Sequence, residues 1–300
     1  MKTMVIECEA VPPAYRFDPD FPVRGTDKFY VETAKAAVKA GYEVYVVHDT
    51  DKCRTSNGVY YVDRESFDVM SGHVDVWLRC NPRGPVTRPK ARYYMVWTNF
   101  ALPKGFYADF VTNCPETDQF CVISQYAKAR FQADCGQIDL KVVPHGVNHD
   151  IYWNSSGIER QPRVCFTSSP DRGLDVIKRI WEDYDLAPHA ELWVSSYGQS
   201  ALRDRDVAEV LRASDFWVHP GVGEELFCLA AVEAQACGAT PIVVPNGALA
   251  ETVRFGYRAT AESFAETFVT AVTNRLTLKG VHANWNPSWE QATAILLGPT

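Results

Sequence analysis

The chain has 300 residues, a length that suits one large domain or two of ordinary size. With 46% hydrophobic residues it can build its cores without disulfides or structural metals. Its net charge of -7 excludes a sequence-blind nucleic-acid binder, which needs a basic surface, and leaves room for a local basic pocket around a phosphorylated ligand.

Short β-branched runs alternate with helical patterns. The first strand is predicted over 3–8, and a helix over 27–40 follows. There Tyr30, Ala34, Ala37 and Val38 obey the i, i+4, i+7, i+8 rule and Gly41 ends the segment. Strands are predicted next over 43–48, 74–79, 92–98, 119–124 and 140–143. The turn-rich stretch Pro144-His145-Gly146-Val147-Asn148 then marks a hinge, and the alternation restarts with a strand over 163–168. A helix over 170–184 follows, with Ser169 as N-cap, Pro170 in first position, and Leu174, Ile177, Trp181 and Tyr184 on one face. Further strands are predicted over 190–197, 215–219 and 240–244. Such alternation means parallel sheets covered by helices, here two doubly wound α/β domains, 1–147 and 148–285. Ligands of such folds bind outside the carboxyl ends of the strands, and the site is expected in the cleft between the two halves.

The start of the chain carries Glu7 and Glu9 where a signal peptide needs its apolar stretch, and no window is long and apolar enough to span a membrane. The nine scattered cysteines form no Cys-x-x-Cys pair and sit mostly in apolar runs. They are expected as buried, reduced thiols in a cytoplasmic protein.

The segment 215–252 carries the chemistry. It reads as an apolar strand, a Gly-rich loop, a helix of small residues and a second strand. Between Leu226 and Ala250 the one charged residue is Glu233, and a lone carboxylate in an apolar helix is costly to bury unless something pairs with it. Glu225 precedes it by eight positions. The helix start near Phe227, Cys228 and Leu229 offers free backbone N–H groups and a positive dipole end, a ready phosphate site.

This segment resembles the donor-binding signature of the retaining glycosyltransferases of family 4, which have the GT-B fold: Glu225-Leu-Phe-Cys228 and Glu233-Ala-Gln-Ala-Cys-Gly238 carry the likeness. Phe166-Thr-Ser-Ser-Pro-Asp-Arg-Gly-Leu174 resembles the loop that starts the first helix of the donor domain. Val142-Val-Pro-His-Gly-Val-Asn148 resembles the interdomain turn, and Trp289-Glu290 the start of a last helix (286–300) that crosses back to the first domain. Arg24-Gly25-Thr26 and Gly41-Tyr-Glu-Val44 are similar to the first glycine loop and second strand. The likeness is strongest over about 140–255.

The resemblance implies an N-terminal acceptor domain and a C-terminal donor domain. It implies transfer of a sugar from a nucleotide-diphosphate sugar to a hydroxyl of a glycan or other acceptor, with retention and without a metal or other cofactor. Glu225 would touch the donor sugar near the reacting centre and Glu233 the ribose hydroxyls. Phe227, Cys228 and Leu229 would present N–H groups to the diphosphate, and Arg172 would neutralise it. Ser168, Ser169, Gly25, Thr26, Tyr197 and His219 complete the expected donor contacts. The sequence departs from the family by carrying Thr167 and Ser168 where a second base stands, Trp97-Thr98-Asn99 where a His-Asp pair is frequent, and a short stretch between Tyr197-Gly198 and Asp206.

Three other readings compete. A sugar-nucleotide 2-epimerase shares the architecture but needs acidic and His groups from the first half. A metal-dependent transferase would use Asp49-Thr-Asp51, one of four Asp-x-Asp motifs beside Asp18/Asp20, Asp183/Asp185 and Asp204/Asp206. A binding protein with a decayed site fits poorly with Glu225, Glu233 and Arg172 all in place. His145 and His149, spaced i, i+4 but flanked by Pro144 and Gly146, read as loop or cleft-lining residues rather than metal ligands.

Overall fold

Each apolar run singled out above forms a strand in the structure, a computed structural model that describes residues 1–8, 25–49, 53–64, 67, 74–81, 91–97, 105–115, 117–153, 158–195, 203–278 and 286–298. Two units emerge from the contacts: Met1–Gly146 with Pro287–Thr300, and Val147–Asn286.

The first unit contains β1 (Lys2–Glu7), β2 (Tyr42–His48), β3 (Arg54–Ser56), β4 (Val59–Asp63), β5 (Val76–Cys80), β6 (Arg92–Trp97), β7 (Gln119–Val122) and β8 (Leu140–Val142). Their order is β3-β4-β2-β1-β5-β6-β7-β8. Among the described residues only β3 runs antiparallel, against β4; without it the order is that of a doubly wound Rossmann sheet. The helices are α1 (Gly25–Lys39), α2 (Phe106–Asn113) and α3 (Gln125–Cys135). Helix α1 buries Tyr30, Ala34 and Ala37 of the stripe its periodicity predicts, together with Phe29, while Val38 is only partly buried. The chain turns out of it at Gly41, whose φ of +89° favours glycine.

The second unit holds α4 (His149–Tyr152), β9 (Gln161–Phe166), α5 (Leu174–Asp183), β10 (Glu191–Val194), α6 (Asp204–Arg212), β11 (Ser214–His219), α7 (Leu229–Ala236), β12 (Thr240–Val243), α8 (Leu249–Thr252), β13 (Tyr257–Arg258) and α9 (Phe264–Thr273). The sheet is parallel throughout, in the order β10-β9-β11-β12-β13, with β10 at its edge among the described residues. Val164, Phe166, Phe216, Val218 and Ile242 from the strands meet Ile177 and Phe268 from the helices in one core.

The last helix, α10 (Trp289–Leu297), belongs to the first unit and packs on α1. Its start is a capping box: Ser288 Oγ accepts from Gln291 N–H at 3.2 Å, and Gln291 Oε1 accepts from Ser288 N–H at 2.8 Å. Gly146 lies against this start, where a Cβ would fall 2.5 Å from the Trp289 backbone, so the turn before it demands glycine.

Three details correct the sequence reading. The helix expected over 170–184 is broken. Pro170–Arg172 form a 3-10 turn, Gly173 takes a φ of +100°, and only then does α5 begin. Ser169 caps neither piece with its side chain; its hydroxyl donates to Asp171. Tyr184 has left the apolar face and is 54% exposed, because α5 ends at Asp183. His145 lies in the loop after β8, as expected, and is buried between Phe29 and Trp289, with ring centroids 5.4 and 5.8 Å away. All nine cysteines are free, and all but Cys53 and Cys135 are buried. Among the described residues no helix is long and apolar enough to cross a membrane.

Candidate functional site

In the second unit the carboxyl ends of the neighbouring strands β9 and β11 bring the key residues together. Thr167 and Ser168, both buried, follow β9, and His219 ends β11 with no exposed surface. Thr167 is committed to the core, where its hydroxyl accepts from the Trp217 indole N–H at 2.9 Å. The Ser168 hydroxyl is buried and has no hydrogen-bond partner among the described residues.

The turn after β9 fits the loop after β11. A Cβ on Gly173 would collide with the Pro220 ring and lie 2.8 Å from Val222. A Cβ on Gly223 would lie 2.7 Å from Arg172 Nη1, so the missing side chain makes room for the guanidinium. Arg172 Nη1 donates to the Glu224 carbonyl at 3.3 Å, and Arg172 Nε stands 3.5 Å from Glu225 Oε1. The loop is held from behind. Asn246 Nδ2 donates to the carbonyls of Gly221 and Gly223 at 3.0 and 2.9 Å, and Ala248 N–H donates to the Glu225 carbonyl at 2.7 Å.

His219 Nε2 lies 3.6 Å from the same Glu225 oxygen. Its Nδ1 accepts from Gly221 N–H at 3.0 Å, which leaves the ring proton on Nε2. The ring sits against Phe166 and Trp217, with centroids 6.5 and 5.8 Å away.

Cys228 precedes α7 in a left-handed conformation, φ +64°, and no side chain caps this helix start. Of the residues expected to present N–H groups, Phe227 and Cys228 are buried and Leu229 takes the first helical position. Glu233 is buried on α7, about one turn beyond its start. Burial pushes the Cys228 thiol well above the ordinary thiol range, and Glu225 adds to the shift.

One group among the described residues is close enough to share a metal ion: His219, Glu225 and Cys228, whose ligand atoms lie within 4.8 Å of one another. The donor set fits an ion poorly. A ligating imidazole donates its other N–H outward, whereas here Nδ1 accepts and the proton occupies the nitrogen that would have to ligate. Asp49 pairs with Arg64 at 3.1 Å. Asp204 and Asp206 form the first turn of α6, and Asp206 accepts from Arg203 N–H. His149 faces the Asn286 carbonyl at 3.2 Å in the second unit, while His145 belongs to the first.

Gly25 and Thr26 open α1 of the first unit. Asp18, Asp20, Arg24, Asp51, Thr98, Asn99, Tyr197 and Gly198 lie outside the described residues. A group that the sequence did not single out stands at the carboxyl end of β1. Glu7 is buried there and accepts from Arg64 at 2.8 Å and from the Trp77 indole at 3.1 Å, with Arg79 Nε 3.0 Å away. A charged residue closing an apolar strand was its one visible sign.

No protein-family model matches the chain, and no curated protein matches it by sequence. Solved structures do match in fold. A sucrose-phosphate synthase from Thermosynechococcus elongatus aligns over 97% of this chain and 93% of its own, at 14% identity and a TM-score of 0.66. The Anabaena protein HepE in complex with UDP and glucose aligns over 98% and 96%, at 13% identity and a TM-score of 0.65. The catalytic domain of starch synthase IV from Arabidopsis thaliana, bound to ADP and acarbose, aligns over 100% and 96%, at 11% identity and a TM-score of 0.59. The chain shares their GT-B architecture of two Rossmann-like domains.

Proposed function

We propose that the chain is a metal-independent, retaining glycosyltransferase of the family 4 type. It moves a sugar from a nucleotide-diphosphate sugar to an acceptor hydroxyl. The second unit takes the donor, and the first, with the returning helix α10, takes a glycan or other hydroxyl-bearing acceptor. The observation that carries this reading is the convergence of Arg172 and His219 on one Glu225 oxygen beside the start of α7, at the carboxyl ends of two parallel strands. HepE with UDP and glucose and starch synthase IV with ADP lend support as proteins of the same fold.

The chemistry follows from charge. As the bond between sugar carbon and phosphate oxygen breaks, the leaving diphosphate gains negative charge. Fixed N–H donors at a helix start and a guanidinium stabilise that charge without a metal. The backbone N–H groups of Phe227, Cys228 and Leu229 supply the donors, with Ser168 and Ser169 beside them. Arg172 supplies the cation, worth about 1.5–3 kcal/mol as a charge-assisted contact. The acceptor oxygen bonds to the sugar carbon from the face the diphosphate leaves, and its proton passes to a phosphate oxygen. Glu225 stabilises the oxocarbenium-like sugar, and Glu233 holds the ribose hydroxyls. Gly25, Thr26 and Tyr197 complete the donor contacts. The reaction needs no cofactor, and a cytoplasmic location fits the free thiols.

A thermal-shift screen with UDP, GDP, ADP and their sugars in EDTA tests the reading. One nucleotide at 100 times its Kd should stabilise the protein by about 2.7 kcal/mol, a rise of several degrees. No shift with any of them would overturn it.

A further inference from the structure

The second unit carries a cavity away from the donor residues. It has a volume of about 670 Å³ and opens at the starts of β9 and β10, the opposite end of the sheet from Arg172, His219 and Glu225. The six residues of β9 put about 17 Å between the two ends. Trp181, Pro162, Pro188 and Leu192 form its apolar wall, and Gln161 and Glu191 its polar one.

Both walls are fixed in advance. Trp181 packs from behind on Phe268, with ring centroids 6.3 Å apart, and its carbonyl accepts from Leu186 N–H at 3.1 Å. Leu186 is fully buried, and its own carbonyl accepts from the N–H groups of His189 and Ala190, which closes the turn that carries Pro188. Arg163 orders the polar wall. It pairs with Glu191 Oε2, its register partner on β10, at 2.7 Å and donates to Gln161 Oε1 at 3.2 Å. Glu191 Oε1 is left to accept and Gln161 Nε2 to donate, both at exposed positions around one guanidinium.

This combination selects a ligand. The indole offers an apolar face for the C–H groups of a pyranose ring. A fixed acceptor beside a fixed donor matches neighbouring hydroxyls, each of which can donate and accept. An anionic ligand fits poorly. Glu191 already neutralises Arg163, and the exposed Glu182, Asp183 and Asp185 follow Trp181 at the end of α5. A purely apolar ligand would desolvate Gln161 and Glu191 without replacing their hydrogen bonds to water.

We propose that this cavity is a non-catalytic binding site for a neutral glycan, with one pyranose ring stacked on Trp181 and two of its neighbouring hydroxyls shared between Glu191 and Gln161. The site holds a saccharide chain on the second unit without touching the donor residues. It goes beyond the transferase reading and does not rest on it, because glycan binding and nucleotide binding are measured separately.

Calorimetry on the full chain with cellohexaose, maltohexaose, mannohexaose and xylohexaose tests the proposal. At least one of the four should bind. Trp181→Ala should weaken that glycan at least about tenfold and Gln161→Ala about fivefold or more, while affinity for UDP, GDP or ADP stays within about twofold. Trp181 also packs against the core, so Gln161→Ala, a change at an exposed position, decides the matter if Trp181→Ala does not fold. Absence of binding by all four glycans would overturn the inference and leave the donor reading standing. So would unchanged glycan affinity in Gln161→Ala. Displacement of the glycan by a lysine-rich peptide, with loss of both signals at about 0.5 M salt, would also overturn it, as the mark of an acidic surface that takes cations. Glycan binding with these losses but without binding of any nucleotide would support the inference and overturn the donor reading alone.

Discussion

Arg172 and Glu225 meet across 3.5 Å although one follows β9 and the other follows β11. The contact depends on Gly223, whose missing side chain leaves the space that Arg172 Nη1 occupies. The pair gives the site a cation and a carboxylate at one point, which suits a reaction that breaks a bond between a cationic sugar carbon and an anionic diphosphate.

Separate roles should produce separate kinetic effects. Arg172→Ala should weaken binding of the nucleoside diphosphate by about 10- to 150-fold, the equivalent of about 1.5–3 kcal/mol. Glu225→Gln should leave that affinity nearly unchanged and lower kcat by at least ~100-fold, because the lost charge acts on the sugar in the transition state. Steady-state kinetics and calorimetry on both variants check the division. Equal loss of nucleotide affinity in both would mean that the two residues act only as a structural pair.

Glu233 calls for a ligand-side control. Glu233→Ala should weaken the ribonucleoside diphosphate about tenfold or more, whereas the 2′-deoxy nucleotide should lose much less. The comparison matters because Glu233 is buried, so its removal also alters packing on α7. A loss of equal size for ribo and deoxy nucleotides would sink the ribose assignment.

The metal question has a direct test. Transfer should proceed at full rate in excess EDTA, with no gain from Mn²⁺ or Mg²⁺, and Asp49→Ala should change kcat less than twofold. Asp49 lies in the first unit and is engaged by Arg64. Activity lost in EDTA and restored by Mn²⁺ would return Asp49-Thr-Asp51 to consideration.

The strands were legible because the runs are apolar, rich in β-branched or aromatic residues, and most of them end at a turn residue. The same holds for the stretch 219–233, where strand, Gly loop and small-residue helix follow one another without interruption. The hairpin β3–β4 was readable in principle. Asn57-Gly58 both adopt positive φ, +51° and +76°, and Asn-Gly between short strands is the usual signal for such a turn. The reading missed it because β3 is exposed and carries no apolar alternation. The break at Gly173 was illegible for a different reason. Leu174, Ile177 and Trp181 keep helical spacing, and only the tertiary approach of Pro220 shows why the turn before them must open. The Glu7–Arg64–Arg79 group escaped notice because its members come from three separate strand ends. The tautomer of His219 likewise depends on a backbone N–H that no spacing reveals.

Gly173 yields a stability expectation. Its φ of +100° and its contact with Pro220 both exclude a side chain. Gly173→Ala should destabilise the second unit by about 2 kcal/mol or more, since it adds backbone strain to a clash. Urea unfolding followed by the fluorescence of Trp217, which is buried in the same unit, would register it. A change below about 0.5 kcal/mol would show that the turn and the loop move apart freely.

His145 predicts how the first unit responds to acid. Burial lowers its pKa to about 3, against an ordinary value of 6.5. Above about pH 6.5 the ring is neutral in both folded and unfolded chains, and it contributes no pH dependence. Below that value the unfolded chain takes up a proton that the folded chain refuses, so stability falls as pH falls toward 3. The slope reaches about 1.4 kcal/mol per pH unit in the middle of this window. His48, lowered to about 4 by burial, acts in the same direction, so the two must be separated. His145→Phe retains an aromatic ring beside Phe29 and Trp289 and removes the titration. Urea midpoints between pH 7 and 4.5 should fall less steeply in this variant than in the native chain. Parallel curves would mean that His145 is protonated in the folded state, and that the packing around Trp289 opens to admit the charge.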